Sequence, residues 1–128
     1  MATQQALGGD RFPNSATLST EQTGDGASTH IVDRGAAVER PALVSITTTV
    51  GATPTCTYAL EGSADGASWW AVPHADPATP DTWSVDTFTI TTAGTTRRIL
   101  QPGQPWRFLR ITYSANTNVT NTTEITVF

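Results

Sequence analysis

A chain of 128 residues with net charge −4 and one cysteine is a single domain that can form no internal disulfide. The acidic balance argues against nucleic acid as the main partner, because phosphate binding needs a positive surface. No apolar run approaches the roughly 20 residues that span a bilayer, and no apolar h-region follows the first residues. The expectation is a protein made and used from the cytosol, away from membranes.

Residues 1–40 differ from the rest. Their apolar anchors are Leu7, Phe12, Leu18, Ile31 and Val32, separated by small and polar residues. Alone, such a segment is loose. It is expected to be an extended arm that lies along another subunit or along the domain's own sheet. Leu7, Phe12 and Leu18 are then its contact residues, and residues 41–128 form the domain proper.

Strand signals begin near residue 40. Threonine is abundant, mixed with Val, Ile and aromatic residues, all of them strand formers. Helix-period runs are missing, and Gly and Pro punctuate the chain. Residues 42–50 alternate Val44, Ile46 and Val50 against Ser45, Thr47 and Thr49. A loop is expected over 51–54 and a second strand over 55–62. Asp65 and Gly66 supply a turn, since Asp bonds its own backbone and Gly takes a positive φ. A third strand follows over 69–73. Trp69 and Trp70 must point to opposite faces there, one toward the core and one toward water or a partner.

The Pro-rich stretch 74–82 cannot sit in a central strand. Residues 83–92 read as strand four, 95–100 as strand five and 106–114 as strand six. In strand six Leu109, Ile111 and Tyr113 share one face and Trp106, Phe108 and Arg110 the other. Turn chemistry over 115–118 then leads to a last strand, 119–128. Seven short strands at this spacing predict an all-β, antiparallel β-sandwich, jelly-roll-like, with an extended N-terminal arm.

Catalytic chemistry finds little footing. His30 and His74 sit in loop contexts and read as solvated, although Asp76 could orient the His74 imidazole. No serine lies in a nucleophile elbow. Asp76, Asp81 and Asp86 could ligate Ca²⁺, but no calcium-loop spacing supports them, and no zinc spacing or phosphate loop occurs. Two Asn-x-Thr triplets, at Asn118 and Asn121, read as ordinary strand and turn. Cys56 reads as a buried, inert thiol. No catalytic residue, metal or cofactor is expected.

Binding chemistry is better represented. There are four Trp, and all seven basic residues are Arg. Trp and Arg are typical interface anchors. Trp69, Arg97, Arg98, Trp106, Phe108 and Arg110 join the arm residues as candidate partner contacts.

Three stretches carry a family likeness: Leu60 to Trp69, with its Ser-x-Asp-Gly-x-x-Trp turn, Phe88 to Thr95, and the Arg-aromatic-aliphatic-Arg segment from Trp106 to Ile111. Over roughly residues 42–128 the chain resembles small β-sandwich virion proteins of tailed bacteriophages, and more weakly discoidin-like, galactose-binding jelly rolls. The first resemblance implies a capsid decoration or minor capsid subunit on the virion surface. Such a subunit is a homo-oligomer, a trimer favoured, clamping the major capsid protein or other virion subunits. It brings no catalytic residues. The alternatives are a carbohydrate-binding module using Trp69 or Trp70, and a tail or neck subunit.

Overall fold

The computed structural model describes residues 3–6 and 13–128. It is all-β, with no α-helix among the described residues. In chain order the strands are β1 (Thr3–Ala6), β2 (Asn14–Gln22), β3 (Gly26–Ala27), β4 (His30–Asp33), β5 (Ala42–Ser63), β6 (Trp70–Ala71), β7 (His74–Ala75), β8 (Phe88–Ile90), β9 (Gly94–Leu100) and β10 (Phe108–Val127). A 3₁₀ turn, Gly35–Ala37, precedes β5. All pairings are antiparallel except the parallel β1–β4 pair.

Two very long strands, β5 with 22 residues and β10 with 20, form the frame. They pair along their whole length, from Phe108↔Ser63 to Val127↔Ala42. The loop expected over 51–54 and the turn expected over 115–118 are therefore not hairpin turns. They face each other across one ladder, where the register shifts between Ser114 and Val119. Thr53, Ala115 and Asn118 take positive φ there, 46°, 50° and 54°. Left-handed residues re-aim a strand as a bulge does. Because both strands carry the irregularity at the same level, the ribbon bends double there instead of ending.

Side-chain parity survives the bend. Ala42, Val44 and Ile46 are buried before it, and Cys56, Tyr58 and Leu60 after it. In β10, Ile111 and Tyr113 precede it, and Val119, Ile125 and Val127 follow. One face of the ribbon thus closes on itself as a sandwich core. The Tyr113 hydroxyl meets Thr123 Oγ1 at 2.7 Å, ten residues along the same strand. An extended strand places such residues more than 30 Å apart, at roughly 3.3 Å each, so the contact requires the fold-back. The Tyr58 hydroxyl donates to Asn121 Oδ1 at 2.5 Å, again from one layer to the other.

The front layer is completed by β2 on the edge of β10, by β9 beside β5 and by β7 on the far side of β9. The back layer takes β8 and β6 on β5 and β3 and β4 on β10. Residues 14–33 follow the chain's own sheet around the bend, paired from Asn14↔Val127 to Asp33↔Phe108. They also contribute to the core, with Leu18 1% and Val32 0% exposed. Leu7 and Phe12 lie outside the described residues. The strand expected over 83–92 shortens to β8. Ahead of it, Ser84 makes a bridge to His74.

Candidate interaction site at the aromatic end of the sandwich

Bending β5 and β10 double brings their four termini to one end, opposite the bend. Register places Ala42 beside Val127 and Ser63 beside Phe108. The turn leaving β5 there is stiff. Asp65 Oδ1 accepts from the Ala67 and Ser68 amides at 2.8 and 3.0 Å and from the Ser63 hydroxyl at 2.9 Å. Ser63 Oγ in turn accepts the Gly66 amide at 2.8 Å, and Gly66 supplies the positive φ, 79°. The amides of Ser68 and Ala67, then the Ser63 hydroxyl, hold the Asp65 carboxyl at a pKa of about 2.

This turn delivers Trp69 and Trp70. Neither enters the core. Trp69 is half-buried beneath Arg110, whose Cζ stands 4.1 Å from the ring centroid. Arg110 Nε donates to Glu61 Oε1 at 3.0 Å, and the Thr112 hydroxyl donates to the same oxygen. The guanidinium is thus fixed before any partner arrives. Trp70 lies opposite Gly62 and is 60% exposed. The core slot that alternation would give it is already filled by Trp106, which packs over Gly62.

The grouping expected in strand six changes accordingly. β10 begins at Phe108, so Trp106 precedes it and turns to the core side, closing the end of the sandwich. Phe108 is buried beneath Arg107, whose Cζ is 5.2 Å from its ring. Arg107 is held by a bidentate pair to Asp33, at 2.7 and 2.9 Å. Phe108 is therefore a packed residue and offers no side chain to a partner. Leu18 is likewise spent on the core. Trp69 and Arg110 stack on each other at this end, and Trp70, which sequence reasoning left as one of two alternatives, is the most exposed of the three. Phe128, 47% exposed, adds to this end.

Arg34 is a member of the site that the sequence did not single out. It is 6% exposed, and its Nε and Nη2 donate to the Trp106 carbonyl, the former at 3.0 Å. Burial pulls its pKa down to about 10, which leaves it a cation at neutral pH. A buried cation on the carbonyl of Trp106 pins the segment that closes the core.

Arg97 and Arg98 sit elsewhere, on β9. Arg97 is exposed, opposite Ser45. Arg98 turns to His74. Its Nε donates to His74 Nδ1 at 3.0 Å, so the ring proton resides on Nε2, which donates to the Asp86 carbonyl at 2.8 Å. His74 is 2% exposed rather than solvated. Phe88 packs edge-on against it at 5.4 Å. The His74 and Ser84 backbones exchange hydrogen bonds, closing the Pro-rich loop between them.

Burial first, then the Arg98 charge, lower the His74 pKa, while the bond to Asp86 opposes them. The folded pKa thus lies below the unfolded value of about 6.5. As pH falls, the unfolded chain takes up the proton first, so His74's contribution is full above that value and declines below it. Thermal melts should show stability falling from pH 7 to 5, with a slope from this group of at most about 1.4 kcal/mol per pH unit. A His74→Gln variant should lose that part of the slope.

No family model matches the sequence, and no curated protein matches it. The fold does have a solved counterpart. The crystal structure of the SPBc2 prophage-derived protein YomS superposes with a TM-score of 0.63 over 89% of this chain and 91% of that one. Identity is 11%, so what the two share is the fold.

Proposed function

We propose that this protein is a non-enzymatic structural component of a bacteriophage particle, of the capsid decoration or cement kind. The observation that carries this reading is the fold shared with a prophage-derived protein along nearly the whole of both chains. In this reading the aromatic end is the means of attachment. Trp70 stands in water on a stiff turn, beside an Arg110–Glu61 pair that is already set. Such preorganised Trp and Arg anchors lose little freedom on docking. Repeated copies on a lattice, as a trimer or other homo-oligomer, would add avidity to weak single contacts.

Cosedimentation of the protein with DNA-free phage shells tests this directly. Binding is expected, and Trp70→Ala should weaken it by about 30-fold, the effect of a hot spot worth roughly 2 kcal/mol. The same change should move stability by no more than about 0.5 kcal/mol, because the ring is exposed. Protein that stays in the supernatant, with no copy found in purified particles, would overturn the proposal. Rings formed in the absence of shells would instead identify a tail or neck subunit.

A further inference from the structure

The outer face of the front layer carries a charge pattern that complements itself. β10 and β9 flank β5 on opposite sides. One row across the three strands reads Glu124, Ser45, Arg97, in direct register. These side chains point away from the core, because their chain neighbours Ile125, Val44 and Ile46 are buried and Arg98 turns the other way, to His74. Glu124 and Arg97 are both exposed.

Neither charge is neutralised within the chain. Among the described residues, Arg98, Arg107 and Arg110 hold carboxylates, and Arg34 and Arg40 hold backbone carbonyls. Arg97 has no such partner, and Glu124 has none either. Adjacent strands lie roughly 4.8 Å apart, so the two charges stand about 10 Å from each other, one on each side of β5.

The rest of this face is prepared to lose water. The Thr47 and Thr95 hydroxyls bond to each other at 3.3 Å and those of Ser15 and Thr126 at 2.8 Å. Thr122 Oγ1 accepts the Glu21 amide at 3.0 Å. Hydroxyls that already have partners cost less to bury. Leu43 and Ile99, paired across the ladder and half-buried, add apolar surface at one end of the face.

We infer that this face joins two copies of the chain about a two-fold axis lying along β5. Such an axis exchanges the two sides of β5. Each copy's Glu124 then lies over the partner's Arg97, so the contact closes with two equivalent ion pairs, and the two Leu43 side chains meet on the axis. Sheets packed face to face stand about 10 Å apart, a gap that a Glu and an Arg side chain bridge between them. The pattern favours a second copy over other partners, because a surface of one charge sign would satisfy one of these side chains and repel the other. The face measures about 20 Å by 20 Å, on the order of 400 Å² per copy, which is small for a permanent complex. The dimer should therefore be weak and concentration-dependent. This gives the homo-oligomer proposed above a surface and a symmetry, and it stands whether or not the protein attaches to a particle.

The test is sedimentation equilibrium of the full chain from about 10 μM to about 1 mM, the range in which so small an interface dissociates. The parent protein should self-associate to a dimer. Arg97→Glu and Glu124→Arg should each weaken association by at least about tenfold, since each sets like charges against one another. Both positions are exposed, so neither change should unfold the protein. An equimolar mixture of the two single variants should associate again, because a copy with two acidic groups then faces a copy with two basic ones. Trp70→Ala should leave the dimer intact, which keeps this result separate from binding to shells. Three outcomes overturn the inference: a monomer at every concentration, association that neither charge reversal weakens, or a mixture that associates no better than the separate variants.

Discussion

An Asn121→Ala variant should melt roughly 10 °C below the parent protein, a loss of about 3 kcal/mol for a domain of this size. Asn121 is fully buried, and its Oδ1 accepts the Tyr58 hydroxyl. Burial, above all, raises the Tyr58 pKa, so that hydroxyl stays protonated and needs an acceptor. Alanine removes the acceptor and leaves the hydroxyl dry, at a cost of about 1–3 kcal/mol. The emptied volume adds roughly another 1 kcal/mol. The other half of the amide, Nδ2, faces Cys56 Sγ at 3.8 Å.

The pair matters beyond its energy because Tyr58 lies after the bend of β5 and Asn121 after the bend of β10. Their bond ties the two layers together near the fold-back. A Tyr58→Phe/Asn121→Leu double variant, in which both polar groups are gone, should cost less than the sum of the single changes. Denaturant melts of the four proteins check this. Additive costs would mean that the bond contributes nothing to holding the layers.

The same bend shows where the sequence was legible and where it was not. Alternation placed Val44, Ile46, Leu109, Ile111 and Tyr113 on the buried face, and the structure agrees. All-β architecture followed from that pattern. The bend itself did not. Gly51–Pro54 and Ala115–Asn118 have the composition of turns, and local chemistry cannot tell a turn from a bulge. The difference lies in the ladder partner, some sixty residues away, as with Thr55 and Thr117. Arg34 and His74 were missed for a related reason. Their burial depends on Trp106 and on Arg98 with Phe88, none of them neighbours in sequence. The Trp pair was legible only in part. Alternation separates Trp69 from Trp70, yet nothing local reveals that Trp106 fills the place Trp70 would take.

That last relation can be tested at a single carbon atom. A Gly62→Ala variant should lose about 2–3 kcal/mol. A Cβ at Gly62 would stand 2.5 Å from Trp106 Cγ and 2.6 Å from its Cβ. These atoms sit at the root of the side chain, so no rotation of a flexible end relieves the overlap. Either the β5–β10 ladder shifts or the indole leaves the end of the core, and overpacking of this kind costs typically 1–3 kcal/mol. An ejected Trp106 would expose apolar surface and pull on the carbonyl that Arg34 holds. Trp emission should move to longer wavelength together with the drop in melting temperature. Gly24→Ala is the control, since its Cβ would meet nothing within 4 Å, and it should change stability by no more than about 0.5 kcal/mol. In a Trp106→Gly background the Gly62→Ala change should become nearly free, because both the Cβ and the ring that it meets have gone. If Gly62→Ala instead leaves both stability and emission untouched, Trp106 does not occupy that place. Trp70 would then have a core position open to it, and the exposed ring on which the docking proposal depends would have no physical cause.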